Sequence, residues 1–208
     1  MKWLWMLLPL AFCLLRLLTH RYICSALITL SCAVVVAVAG PGGDGWLVVA
    51  ALIVSAAGDW FMAHQGLNPN NLLFGMAGFA VAHVLLIAFA ARAFAFDGRA
   101  LAAALLLGAL YALYLARRVF PGVEARLKPA IAGYALVSLA GLFFALCRGV
   151  PLGEKALYAL GIVCILFSDT MIAESDFVGR KQAGPLILPT YYTCQLLITV
   201  SLLLRGGA

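Results

Sequence analysis

The sequence predicts an all-α fold, a polytopic membrane helix bundle of about eight transmembrane helices. Of its 208 residues, 65% are hydrophobic and only 11% are charged, and the mean hydropathy is +1.08, values far outside those of soluble domains. The apolar residues also come in runs close to the roughly 20 residues a spanning helix needs. Short charged or turn-forming segments separate the runs and leave no room for a soluble domain. Residues 1–208 therefore read as a single integral membrane domain.

In chain order the expected spans are 4–18, 22–40, 46–64, 72–92, 100–116, 129–147, 155–173 and 186–204. The first follows Met1-Lys2-Trp3-Leu4-Trp5, which superficially resembles a secretory signal. It carries Arg16 and lacks a small-residue cleavage pattern, so it is expected to be retained as a helix. Thr19 to Arg21 and Pro41 to Gly45 bound the second span, and Gln65 to Asn71 closes the third. Ala93 to Arg99, Arg117 to Lys128, Arg148 to Glu154 and Glu174 to Pro185 separate the rest.

Eight spans place both termini on one side, so the loops after spans 1, 3, 5 and 7 share the other, the odd-loop face. Arg16, Arg21, Arg117, Arg118, Arg126, Lys128, Arg180 and Lys181 lie there, eight of the 14 Lys and Arg residues. The excess over the remaining six leans toward a cytoplasmic odd-loop face. In a bacterium the expected location is the inner membrane. The formal charge of +6 resides in such helix-end anchors, with no solvated basic surface of the kind nucleic acid requires. Cys13, Cys24, Cys32, Cys147, Cys164 and Cys194 all fall in apolar runs at no ligand spacing and read as small core residues.

Asp59 and Asp169 do not belong in lipid. A carboxylate at this depth costs at least about 2.5–3.5 kcal/mol, so retaining it calls for a function or an obligatory partner, the plain alternative being a polar clasp between helices. Spans 3 and 7 run toward the odd-loop face and carry these residues about 6–8 Å inside it, at 1.5 Å per residue. Spans 4, 6 and 8 enter from that face with His83, Tyr134, Tyr191, Tyr192 and Gln195, and Tyr191 and Gln195 share one helical face. Singly, the tyrosines also fit an interfacial belt, His83 a core position and Gln195 an interhelical hydrogen bond. Together they point to one cavity.

Two carboxylates in a low-dielectric site can hold different protonation states, one an acid and one a base, which suits hydrolysis. His64 and His83 with an aspartate show no tight metal-ligand spacing, so no metal and no cofactor is expected. A transporter or channel for a small polar solute or ion is the alternative. It would also keep intramembrane Asp and His, and Gly58-Asp59 and Ser168-Asp169 recur in the third spans of two four-helix halves, with Ala63 and Ala173 four residues on.

The motifs resemble the lysoplasmalogenase (YhhN) family: Ser55-x-x-Gly58-Asp59, then Gly75-x-x-x-Phe79-x-x-x-His83, Gly161, Phe167-Ser168-Asp169 and Thr190-Tyr191-Tyr192-x-x-Gln195-x-x-Ile198. They run in the family's order over most of the chain. Leu86 replaces a tyrosine often found after the family's histidine, and Arg21 stands for a lysine at the start of span 2. The resemblance implies cleavage of the vinyl ether of a lysophospholipid substrate, giving a fatty aldehyde and a glycerophospho-choline or -ethanolamine. It further implies that Asp59 and Asp169 are the catalytic pair. The substrate-binding set joins motif residues to those placed by depth: Ser55, His83, Tyr134, Ser168, Tyr191, Tyr192 and Gln195. The bilayer and the lysolipid are the expected partners, and Arg180, Lys181 and Arg126 are within reach of a phosphate.

Overall fold

A computed structural model describes residues 2–21, 23–68 and 70–205. Among these, a 3-10 turn at Lys2–Met6 leads into α1 (Leu7–Thr19), followed by α2 (Ile23–Val38), α3 (Gly42–Ala63) and α4 (Asn70–Ala91). Then come α5 (Gly98–Tyr114), α6 (Lys128–Leu146), α7 (Leu152–Ile172) and α8 (Gly184–Arg205). The all-α bundle expected from the sequence is what forms. Tyr22, where the second span was expected to begin, and the tail residues 206–208 lie outside the described residues.

Seven of these helical stretches are long and apolar enough to cross a membrane, and α2 is the shorter one. Its 16 residues rise only about 24 Å at 1.5 Å each, short of a hydrocarbon core of about 30 Å. The reason lies in the packing: α2 is wrapped by α1, α3 and α8 and buries Ile28, Thr29, Cys32, Val35 and Val36, so protein rather than lipid surrounds much of it. The outer surface is greasy, with Leu14, Leu17, Val34, Ile53, Val84, Leu105, Leu106 and Leu136 exposed, while Ser25, Thr29, Asp59, His83 and Gln195 are buried. This inverts the arrangement of a soluble protein, as a lipid solvent requires.

Two helices run past their expected ends. The fifth continues as a π-helical turn over Leu115–Val119 and the seventh over Ala173–Phe177. The charges that were expected to end them are accommodated instead: Glu174 accepts from Tyr114 at 2.5 Å and from Arg180 at 2.8 and 2.7 Å. Such turns widen a helix locally and recur at functional sites.

The loops confirm the alternation of faces. Beyond α4 and α6, Ala95 N–H donates to the Cys147 carbonyl and Gly149 N–H to that of Ala93, both at 2.7 Å. Lys2 donates to the Leu203 carbonyl on the same side. At the odd-loop face, Gly122 after α5 lies against Val178 after α7.

Candidate active site

Two glycine-mediated approaches between α3 and α4 set the geometry. A Cβ on Gly58 would stand 3.0 Å from the Phe79 ring, and one on Gly75 would stand 2.7 Å from Met62. Gly75, Phe79 and His83 are four residues apart and so form one stripe on α4. Without side chains at Gly58 and Gly75 the helices close up, and Phe79 is wedged beside the carboxylates.

Asp59 is buried. Its Oδ2 accepts from the Thr29 hydroxyl at 2.8 Å and from the Tyr191 hydroxyl at 3.2 Å. Among the described residues no cation stands within ion-pair distance of it. Asp169 has different company: Tyr134 donates to its Oδ2 at 2.9 Å, and His83 Nε2 lies 3.4 Å from the same oxygen. That second contact has ion-pair reach without hydrogen-bond geometry. His83 Nδ1 sits 2.8 Å from the Phe79 carbonyl, which can only accept, so Nδ1 carries a proton and Nε2 faces the carboxylate.

Asp59 and Asp169 line one cavity of about 210 Å³, together with Ser25, Met62, Gln65, Phe79, Ser168, Asp176 and Tyr191. Behind it, a small void is bounded by Ser55, His83, Asp169, Tyr191 and Gln195. On the far side of Phe79 and Asp169 is a mostly apolar chamber of about 50 Å³, lined by Met62, Met76, Leu115, Ile131, Tyr134 and Phe177. Asp169 and Phe79 border all three spaces.

Two sequence-predicted positions are placed differently from expectation. Tyr192 does not line these spaces; its hydroxyl is 2.6 Å from Ser25 Oγ. Successive helical residues point about 100° apart, so turning Tyr191 to Asp59 swings Tyr192 toward α2. Ser168 borders the cavity, but its hydroxyl donates to the Ile187 carbonyl at 3.1 Å and ties α7 to α8. Of the basic residues considered for phosphate, Arg180 is held by Glu174 and Arg126 by Glu124.

Thr29 went unnoticed in the sequence because a threonine in an apolar helix is ordinary. The signal available was Ser25 and Thr29 at a spacing of four, which puts two hydroxyls on one face of α2. Among the described residues no group of three or more His, Cys, Asp and Glu side chains is placed to hold a metal ion.

A multi-pass helical bundle with a buried and a half-buried carboxylate on one cavity defines an integral membrane protein with an intramembrane acidic site. Within that class the chain belongs to the YhhN family, whose model matches residues 16–202. It is similar to lysoplasmalogenase TMEM86B of Rattus norvegicus, 34% identical over 173 residues, 82% of this chain and 67% of that one. The Homo sapiens protein of the same name is 33% identical over 165 residues, covering 78% of this chain and 66% of its own length. That of Mus musculus is 31% identical over 173 residues, covering 82% and 70%. The chain thus spans about two thirds of the length of these relatives. No solved structure matches it.

Proposed function

We propose that this chain is a membrane-embedded lysoplasmalogenase, acting as a single integral membrane domain over residues 1–208, at the inner membrane in a bacterial host. The observation that carries the reading is the pair Asp59 and Asp169 on one cavity, in a chain whose similar proteins bear that enzyme name. The substrate has three parts in series: an apolar chain, a vinyl ether and a polar head. The site has a matching series, with Asp169 at the junction of an apolar chamber and a more polar cavity.

The unequal surroundings of the two carboxylates support a division of labour. Asp59, held by hydroxyls alone, serves as the carboxylic acid, and Asp169, beside His83, as the ionised base. Asp59 delivers its proton to the vinyl carbon remote from oxygen, leaving an oxocarbenium ion that ionised Asp169 stabilises. Water adds to the carbon bonded to oxygen and gives up a proton to Asp169. The resulting hemiacetal collapses as its hydroxyl proton passes to the glycerol oxygen, which leaves as an alcohol while the chain leaves as an aldehyde. Transfer of the proton on Asp169 back to Asp59 restores the starting state, so one water is consumed.

The test is incubation of purified protein with an alkenyl lysophospholipid in D2O, with the aldehyde analysed by mass spectrometry. One deuterium is expected on the carbon next to the aldehyde, and the saturated alkyl analogue should stay intact. Aldehyde release without deuterium would sink the protonation step, and no release would sink the activity. The transporter reading expects helices broken at mid-membrane, whereas α3 and α7 run as continuous α-helix through Asp59 and Asp169.

A further inference from the structure

Eight carboxylate side chains occur in the sequence, and nearly all have a partner or a place in the site. Asp44 pairs with Arg205, Glu124 with Arg126, Glu154 with Arg148 and Glu174 with Arg180. Asp97 caps α5 by accepting from Arg99 N–H, and Asp59 and Asp169 hold the hydroxyl contacts described above. Asp176 is the exception: among the described residues it has no ion pair and no side-chain hydrogen bond. It is exposed, and it lines the cavity that contains Asp59 and Asp169.

Its position fits the length of a lysophospholipid head. Asp176 follows Asp169 by seven residues, roughly 8–10 Å along the axis, with the α-helical rise of about 1.5 Å per residue to Ile172 and a smaller rise through the π turn. Between the ether oxygen and the nitrogen of glycerophosphoethanolamine lie nine single bonds of about 1.5 Å, which zigzag to a reach of about 10 Å. With the ether at Asp169, the ammonium arrives at Asp176, and exposed Gln65 on the same cavity adds a neutral amide oxygen. On the loop that follows, Arg180 is bound through both oxygens of Glu174.

We propose that Asp176 binds the ammonium of the substrate headgroup and selects a primary ammonium, as in ethanolamine, over trimethylammonium, as in choline. This inference rests on the lysoplasmalogenase reading and names the substrate class of the same site. A primary ammonium brings N–H donors for a charge-assisted bond to carboxylate. A trimethylammonium has none and is recognised by a cage of aromatic faces. Among the described residues the rings on this cavity are Phe79 and Tyr191, which pack edge to face against each other with centroids 5.7 Å apart, and Tyr191 is bonded to Asp59. Among the described residues lining this cavity, no set of ring faces forms a cage at Asp176.

The experiment measures kcat/KM for alkenyl lysophospholipids bearing ethanolamine, choline or a bare phosphate, for the parent protein and for Asp176→Asn and Asp176→Glu. Equilibrium binding of the uncleavable saturated alkyl lysolipids with the same heads is measured alongside. The parent is expected to favour ethanolamine over both others, and Asp176→Asn to lower the ethanolamine-to-phosphate ratio about tenfold, mainly through KM, the size of one hydrogen bond to a charged group. Asp176→Glu should keep the preference. An ethanolamine preference that survives Asp176→Asn, or a parent that binds and cleaves choline equally well, overturns the assignment. If no alkenyl lipid is cleaved, the activity reading fails, and the binding ratios still decide whether Asp176 selects an ammonium.

Discussion

Asp59 and Asp169 bear the same side chain in different company. Either amide variant, Asp59→Asn or Asp169→Asn, keeps the size and loses the exchangeable proton, so aldehyde release should fall at least about a hundredfold with the fold retained. A wild-type rate in either variant would rule out the pair. Thr29→Val removes a hydroxyl from Asp59 while preserving shape and should lower kcat by about tenfold, one hydrogen bond's worth of barrier. His83→Phe removes the imbalance between the two carboxylates. It should cost about a hundredfold in kcat with little change in thermal stability, since the ring volume stays in place between Tyr134 and Phe79. The motif spacing was legible at this scale: two intramembrane carboxylates and a histidine stripe stood out. The hydroxyls that hold them did not, because Ser and Thr in membrane helices carry no unusual signature.

Among the helices, the α7–α8 seam gives the sharpest contrast. A Cβ on Gly161 would come 2.8 Å from Ile198 and 3.3 Å from the Cys194 carbonyl, whereas one on Gly133 would meet nothing within 4 Å. Gly161→Ala is therefore expected to destabilise by about 1–3 kcal/mol and Gly133→Ala to be nearly neutral or better. Unfolding in detergent, followed by circular dichroism, separates the two. Equal behaviour would mean that the seam is looser than the packing implies. The extents of α5 and α7 were harder to read, because Arg117, Arg118 and Glu174 look like helix ends in sequence. In the fold, Tyr114 and Arg180 satisfy Glu174 and the helices run on.

Across the whole molecule, Arg148 fixes the face opposite the site. It is 1% exposed, bonded to Glu154 at 2.5 Å and stacked over Phe89 and Tyr158 at 4.2 and 4.7 Å from their centroids. Burial lowers the Arg148 pKa below the ordinary arginine value, and the Glu154 carboxylate opposes that shift. Removing one partner of such a pair strands the other: Glu154→Leu should destabilise by about 3–5 kcal/mol, and adding Arg148→Met should recover much of the loss. A double variant no more stable than Glu154→Leu alone would show that the ion pair is not the source. Metal offers a second check at this scale. A strong chelator is expected to leave aldehyde release unchanged, and loss of activity restored by added zinc would overturn the carboxylate mechanism.

The sequence by itself determined the number and rough extent of the helices, because lipid demands about 20 apolar residues per crossing and every interruption is therefore visible. It also marked Asp59 and Asp169, since charge inside such a run has no inexpensive structural excuse. Which neighbours those carboxylates meet was decided only by the tertiary structure. Helical phase sends Tyr191 to Asp59 and Tyr192 to Ser25, although the two are adjacent in the chain. Close packing at Gly58 and Gly75 seats Phe79 at the cavity, and the π turn at Ala173–Phe177 brings Asp176 to its lining. Contacts of this kind depend on rotation and separation of whole helices, quantities that one-dimensional spacing does not encode.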